Sequence, residues 1–225
     1  MHQDAGIDSP PISALERFVQ QARKATETAQ ARCDLCGAPL PPEHRHMLEI
    51  ASGQALCACH ACSILFDREA ASEGRYRLIS NRRLYLQSAG LDDTEWEGLR
   101  IPMGLAFLFY STRVARMVAL YPGPMGTIES TVEPAMWDGL VERNPVFGTM
   151  APDVEAFLVN RIGHSREHFV VPIDECFKLV ALIRSHWKGL AGGQEVWRQV
   201  EQFFESLRQR SSVVAVSTIQ IGGNV

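Results

Sequence analysis

The stretch CDLCGAPLPPEHRHMLEIASGQALCACHAC, residues 33–62, holds five of the six cysteines and three of the seven histidines of a 225-residue chain. Cys33-x2-Cys36 and Cys59-x2-Cys62 are paired thiols separated by 22 residues. A C-x2-C pair forms a tight knuckle that turns two sulfurs toward one point, and two knuckles surround a tetrahedral ion with four thiolates. Gly37 suits the turn after the first pair, where a positive φ is often needed. The intervening residues predict a hairpin, Met47–Ile50 against Ala55–Cys57, with Ser52-Gly53 at the bend. The expected module is a zinc-ribbon or rubredoxin-like knuckle with Cys33, Cys36, Cys59 and Cys62 as metal ligands. The competing readings are a redox thiol pair or inert buried cysteines.

Four thiolates suit Zn²⁺ and also a mononuclear iron. No Phe, Tyr or Trp occurs between Cys33 and Cys62, which favours zinc over an iron site set among aromatic rings, and the spacing is not that of a ferredoxin cluster. A four-thiolate zinc is closed and structural by default. In a strand Cys57 shares a face with Cys59, as a small apolar residue beside the site or as an alternative ligand. His44 and His46 share a face if extended. They read either as solvated loop histidines or as ligands for a second metal or a partner's metal. His60 lies nearby.

Working outward, Leu15, Phe18, Val19 and Ala22 follow helical spacing behind a Ser13–Glu16 capping-box pattern. REAASEGR, after Asp67, reads as a linker. LAFLFYS (Leu105–Ser111) and ARMVALYP (Ala115–Pro122) read as strands joined by a short turn, and GTIESTVEP as a weaker strand. Pro134 opens a helix that ends at Asn144-Pro145. EAFLVNRIG and EHFVVPI read as two more strands, and DECFKLVALIRSHW and GGQEVWRQVEQFFESLRQR as two amphipathic helices. The last residues form a strand or a tail. The expected fold is α+β, with a mainly antiparallel sheet and C-terminal helices. The expected divisions are a tail and helix over 1–30, the metal module over 31–67, the α+β domain over 68–211, and the end segment over 212–225.

Composition narrows the function. The chain is 46% hydrophobic and 21% charged with a net charge of −4, which fits a folded protein and disfavours nucleic acid as a partner. MHQDAGIDSPPISALERF lacks a basic segment followed by an apolar run, and IPMGLAFLFY is far short of the ~20 residues of a membrane span. The expectation is a cytoplasmic protein without a membrane span, where thiols stay reduced and bind metal. GPMG and GLAGG lack the spacing of a phosphate loop, and no G-x-S-x-G or H-E-x-x-H occurs. Cys176 reads as a core residue. The arginines of RYRLISNRR and the polar residues of NRIGHSREH read as solvated surface with some capacity for binding.

The phrases CDLCGAPLPPEHRHMLE, LCACHACSILFDR, GRYRLI, NPVFGTMAPDVEAFLVNR, EHFVVPIDECFKLVALIR and WKGLAGGQEVWRQVEQFFESL resemble an uncharacterised bacterial domain family. Its members tend to be encoded beside uptake nickel–iron hydrogenases of the actinobacterial type. The resemblance spans Cys33 to Leu207 and takes in Cys33, Cys36, His44, His46, Cys57, Cys59 and Cys62. It implies a non-enzymatic accessory role, with a hydrogenase subunit or maturation factor as partner. The alternative is a rubredoxin-like iron carrier that delivers electrons to the hydrogenase.

Overall fold

The computed structural model describes residues 31–87, 91–123, 126–189 and 192–215. The helix expected before residue 31 lies outside them. The order of elements is β1 (Arg45–Glu49), β2 (Gln54–Ala58), α1 (His60–Phe66), α2 (Glu69–Ser72), β3 (Tyr76–Leu78), β4 (Leu84–Gln87), α3 (Asp93–Gly98), β5 (Leu105–Ser111), β6 (Arg116–Gly123) and β7 (Gly126–Thr131). There follow α4 (Pro134–Arg143), a 3₁₀ turn (Pro145–Thr149), β8 (Glu155–Asn160), β9 (Glu167–Pro172), α5 (Ile173–His186), α6 (Gly193–Gln209) and β10 (Ser212–Ala215). Strands β2-β1-β3 form a small antiparallel sheet, and β10-β4-β9-β8-β5-β6-β7 form a large one. The large sheet is antiparallel except for the parallel pair of β10 and β4. The α+β class and its mainly antiparallel sheet are as the sequence indicates.

Period-2 side-chain alternation divides the large sheet between two cores. Leu105 and Phe107 of β5, Ala156 and Leu158 of β8, and Phe169 and Val171 of β9 pack with the apolar stripes of α5 and α6. Their neighbours in sequence, Ala106, Leu108, Phe157, Val159 and Val170, pack with Leu99, Leu140 and Phe147 on the opposite face. With both faces covered, β8 is buried along its whole length, so its sequence reads as a continuous run.

Two differences from the expected layout concern the metal module. The linker expected after Asp67 contains α2 and leads into β3, which pairs with β1 through Met47–Leu78, Leu48–Arg77 and Glu49–Tyr76. The chain therefore returns to the small sheet before it enters the large one. Three residues are too short a strand to announce themselves, and β3 exists because the β1 edge is free to pair. Leu48 and Ile79 also join the core of α5 and α6.

Three arginines of RYRLISNRR, one on β3 and two in the connection to β4, reach buried carboxylates of the larger domain. Arg77 donates to Asp153 at 2.9 Å and to the Pro152 carbonyl at 2.9 Å. Arg82 binds Glu155 through Nε at 3.0 Å and Nη2 at 2.6 Å. Arg83 donates to Glu175 at 2.7 Å and 3.2 Å. Burial pushes the Glu155 carboxyl up. Arg82, the Ala151 amide and the Ser80 hydroxyl outweigh that and hold it below the usual carboxylate range. These groups are structural, and the reading of Arg77, Arg82 and Arg83 as solvated surface is corrected.

Arg82→Ala leaves Glu155 buried without its counter-ion and should destabilise the fold by about 3 kcal/mol. Glu155→Gln added to it should recover part of the loss. Urea unfolding of the two variants measures both, and an unchanged midpoint for Arg82→Ala would remove the pair from the account.

Candidate metal centre

The first cysteine pair is held by a tight turn. Gly37 N–H donates to the Cys33 carbonyl and Cys33 N–H to the Ala38 carbonyl, each at 2.8 Å. Gly37 has φ +76°, which a side-chain-bearing residue adopts only with strain. The second pair is built differently from the expected second knuckle. Cys59 is the N-cap of α1, and its Sγ accepts the Cys62 amide at 3.4 Å. A C-x2-C pair thus doubles as a helix start, since cap and third helical residue lie on one side of the first turn. The β1–β2 hairpin, Arg45–Ala58 to Glu49–Gln54, spans the distance between the pairs as expected.

Cys33, Cys36, Cys59 and Cys62 bring their sulfurs within 4.8 Å of one another. Cys36 Sγ and Cys59 Sγ are 3.7 Å apart. A tetrahedron with metal–sulfur bonds of about 2.3 Å has edges of about 3.8 Å, so the spacing fits a four-thiolate ion. Cys33 and Cys62 are buried, Cys59 is half-buried and Cys36 is exposed. All six cysteines are free thiols. Burial pushes the Cys33 thiol up, but amides of Cys59, Leu35 and Cys36 and the Cys36 thiol bring it down to about 6. Burial and the neighbouring thiols push Cys62 up. A dication among these four sulfurs would relieve their competition over protons.

His44 and His46 do not form a solvated loop pair. They converge with Cys57 into a second group whose ligand atoms lie within 4.8 Å of one another. Asp34 accepts the Cys57 amide at 2.6 Å, and Asp174, 128 residues away from His46, accepts its Nδ1–H at 3.0 Å. Sequence reasoning missed both acids. An acidic pair in the first turn of α5 already has a local explanation in the helix dipole, so Asp174 gave no further signal. Cys176 is buried in the core.

In NRIGHSREH the tip residues Gly163, His164 and Arg166 are exposed as expected, whereas Arg161 and His168 at its ends are held. Arg161 donates to Asp93 at 2.7 Å and to the Leu91 carbonyl at 2.6 Å, and lies over the Trp96 ring. His168, on β9, is buried and stacks on Phe157. Among the described residues no helix is long and apolar enough to cross a membrane.

Residues 32–211 match a family of unknown function (DUF5947). The chain belongs to this family. No curated protein and no solved structure matches it. The family brings no mechanism with it, so the chemistry rests on the residues.

Two measurements test this description. The knuckles bury only Cys33, Leu40 and Cys62 in a cluster of their own, whereas Leu48 and Ile79 belong to the main core. Chelation should therefore abolish amide protection over 31–40 and 59–66 and leave the large sheet protected. Hydrogen exchange with and without chelator reads this, and uniform loss across both sheets would contradict it.

The second is a pH effect. Burial, with the charges of Arg161 and Arg166, lowers the His168 pKa from 6.5 to about 4. The unfolded chain binds a proton there that the folded chain does not. The contribution of neutral His168 is thus complete above pH 6.5 and lost as the pH falls toward 4. The loss is on the order of 3 kcal/mol. Urea unfolding of His168→Leu and wild type across that range should show a shallower acid decline in the variant, and identical declines would refute the assignment.

Proposed function

We propose that this protein is a non-enzymatic metal-binding accessory factor. Cys33, Cys36, Cys59 and Cys62 hold one structural Zn²⁺, and the protein acts by contact with a nickel–iron hydrogenase subunit or maturation factor in the cytoplasm. The observation that carries the metal assignment is the convergence of four thiols at tetrahedral spacing. A four-thiolate ion has no position left for substrate, which supports a structural role. The partner rests on the resemblance of the cysteine-rich and C-terminal phrases to proteins encoded beside such hydrogenases. A reducing cytoplasm keeps the thiols available to metal.

Contact needs a surface, and α1 offers one beside the metal. Ile64 and Leu65 are 45% and 53% exposed. Exposed recognition residues on an element pinned by a metal keep their geometry without a large core behind them. The exposure of Cys36 favours a second reading, in which iron replaces zinc and electrons pass through that thiolate to the hydrogenase. Ferric tetrathiolate is red and bleaches on reduction, whereas zinc is colourless.

Gene deletion should lower hydrogenase activity in cells, and affinity capture should recover a hydrogenase subunit or maturation factor. Ile64→Ser with Leu65→Ser should lose the captured partner while retaining its metal. Unchanged hydrogen uptake in the deletion strain would end both hydrogenase readings. A reversible visible absorbance change in the purified protein would select the iron carrier.

A further inference from the structure

His44, His46 and Cys57 owe their convergence to strand register. His46 stands directly opposite Cys57 in the antiparallel β1–β2 pair, and such neighbours have Cβ atoms about 4.5–5.5 Å apart. His44 lies just before β1, two residues from His46, and its ring comes to the same side. The two imidazole centroids are 5.0 Å apart with the rings at 80°.

Both rings are oriented by a group on the far side. His44 Nδ1 lies 3.0 Å from the Pro41 carbonyl oxygen. A carbonyl only accepts, so the proton is on Nδ1 and the lone pair is on Nε2. His46 Nδ1 donates to Asp174 Oδ2 at 3.0 Å, and Lys178 Nζ donates to the same oxygen at 3.1 Å. A carbonyl or carboxylate behind an imidazole is the arrangement that orients histidine ligands toward a metal. His44 Nε2 is buried and has no hydrogen-bond partner among the described residues. A buried lone pair without a partner is costly, and a bound cation removes that cost.

We infer that His44, His46 and Cys57 form a second transition-metal site, with three protein ligands and an open fourth position. Two imidazoles and one thiolate are borderline-soft donors that select Zn²⁺-class dications over Mg²⁺ or Ca²⁺. The four-thiolate site is closed, whereas a three-ligand site retains a position for water or an incoming ligand. His44 and His46 line a cleft of about 660 Å³ whose wall also includes Arg83, Asp174, Lys178 and Arg210. All three ligating residues are half-buried, and with a position left for water such an ion would exchange more readily than the four-thiolate ion.

The test is metal stoichiometry on the full chain, stripped of metal and titrated with Zn²⁺ and, in parallel, Co²⁺. The wild type should bind two equivalents. His44→Asn, His46→Asn and Cys57→Ser should each bind one. In the Co²⁺ form each variant should retain the strong thiolate charge-transfer bands of the four-sulfur site and lose the weaker band of the one-sulfur site. Retention of the strong bands shows that the module is folded. Asp174→Asn should still bind two equivalents, with the second weakened about 10–100-fold, as for loss of a group that orients a ligand. One equivalent in the wild type, or two at full affinity in the histidine variants, would overturn the inference. Loss of the four-sulfur site through Cys36→Ser tests the structural ion separately.

Discussion

Four buried carboxylates, Asp153, Glu155, Asp174 and Glu175, must each find a positive or donating partner, and much of the arrangement follows from that need. None can remain ionised inside without compensation. His46 comes from the metal module, Arg77 from β3, and Arg82 and Arg83 from the connection between β3 and β4, while Lys178 and Arg210 complete the partners of Asp174 and Glu175. Burial raises the carboxyls of Glu155, Asp174 and Glu175, and their partners more than reverse it. The pairs of His46 and Arg77 thereby tie the small sheet to the start of α5 and to the turn before β8. Their value lies in register more than in net energy, since well-packed apolar residues could stabilise such a contact equally well.

Two groups that could hold a metal, of different character, lie on the small-sheet side of that contact. Cys33, Cys59 and Cys62 lie in a small apolar cluster with Leu40 and Phe66, Cys36 closes the group from the exposed side, and the four need only the knuckle and the start of α1. The His44, His46 and Cys57 group lies on the side of the hairpin that meets that contact, where Asp174 of α5 accepts from His46. The first group depends on local turns, and the second depends on two sheets meeting correctly. Cys57 and Cys59 thus belong to different groups although a continuing strand would put them on one face. The chain bends at Cys59 to begin α1, and the alternation ends there.

Much of this was legible in one dimension. The C-x2-C spacing named the four converging thiols, because a two-residue spacer leaves little freedom in where two sulfurs can point. The hairpin between them, strands β5 to β9, and helices α4 to α6 all followed from periodicity, as long patterned segments do. β4 and α3 did not, being only four and six residues long. The short β3 was equally silent, and so was α1, whose first residues had already been read as metal ligands.

Residue types and local spacing therefore decided which four thiols converge, the α+β class and the apolar faces, because those depend on neighbours within a few positions. Tertiary structure decided the use of the polar residues. An arginine run has the same pattern whether it faces solvent or a buried glutamate. A first-turn aspartate looks complete as a helix-dipole partner until a histidine 128 residues away turns its Nδ1 toward it. Those pairings join groups far apart in the chain, and only the packing of one sheet on the other brings their charges within hydrogen-bonding distance.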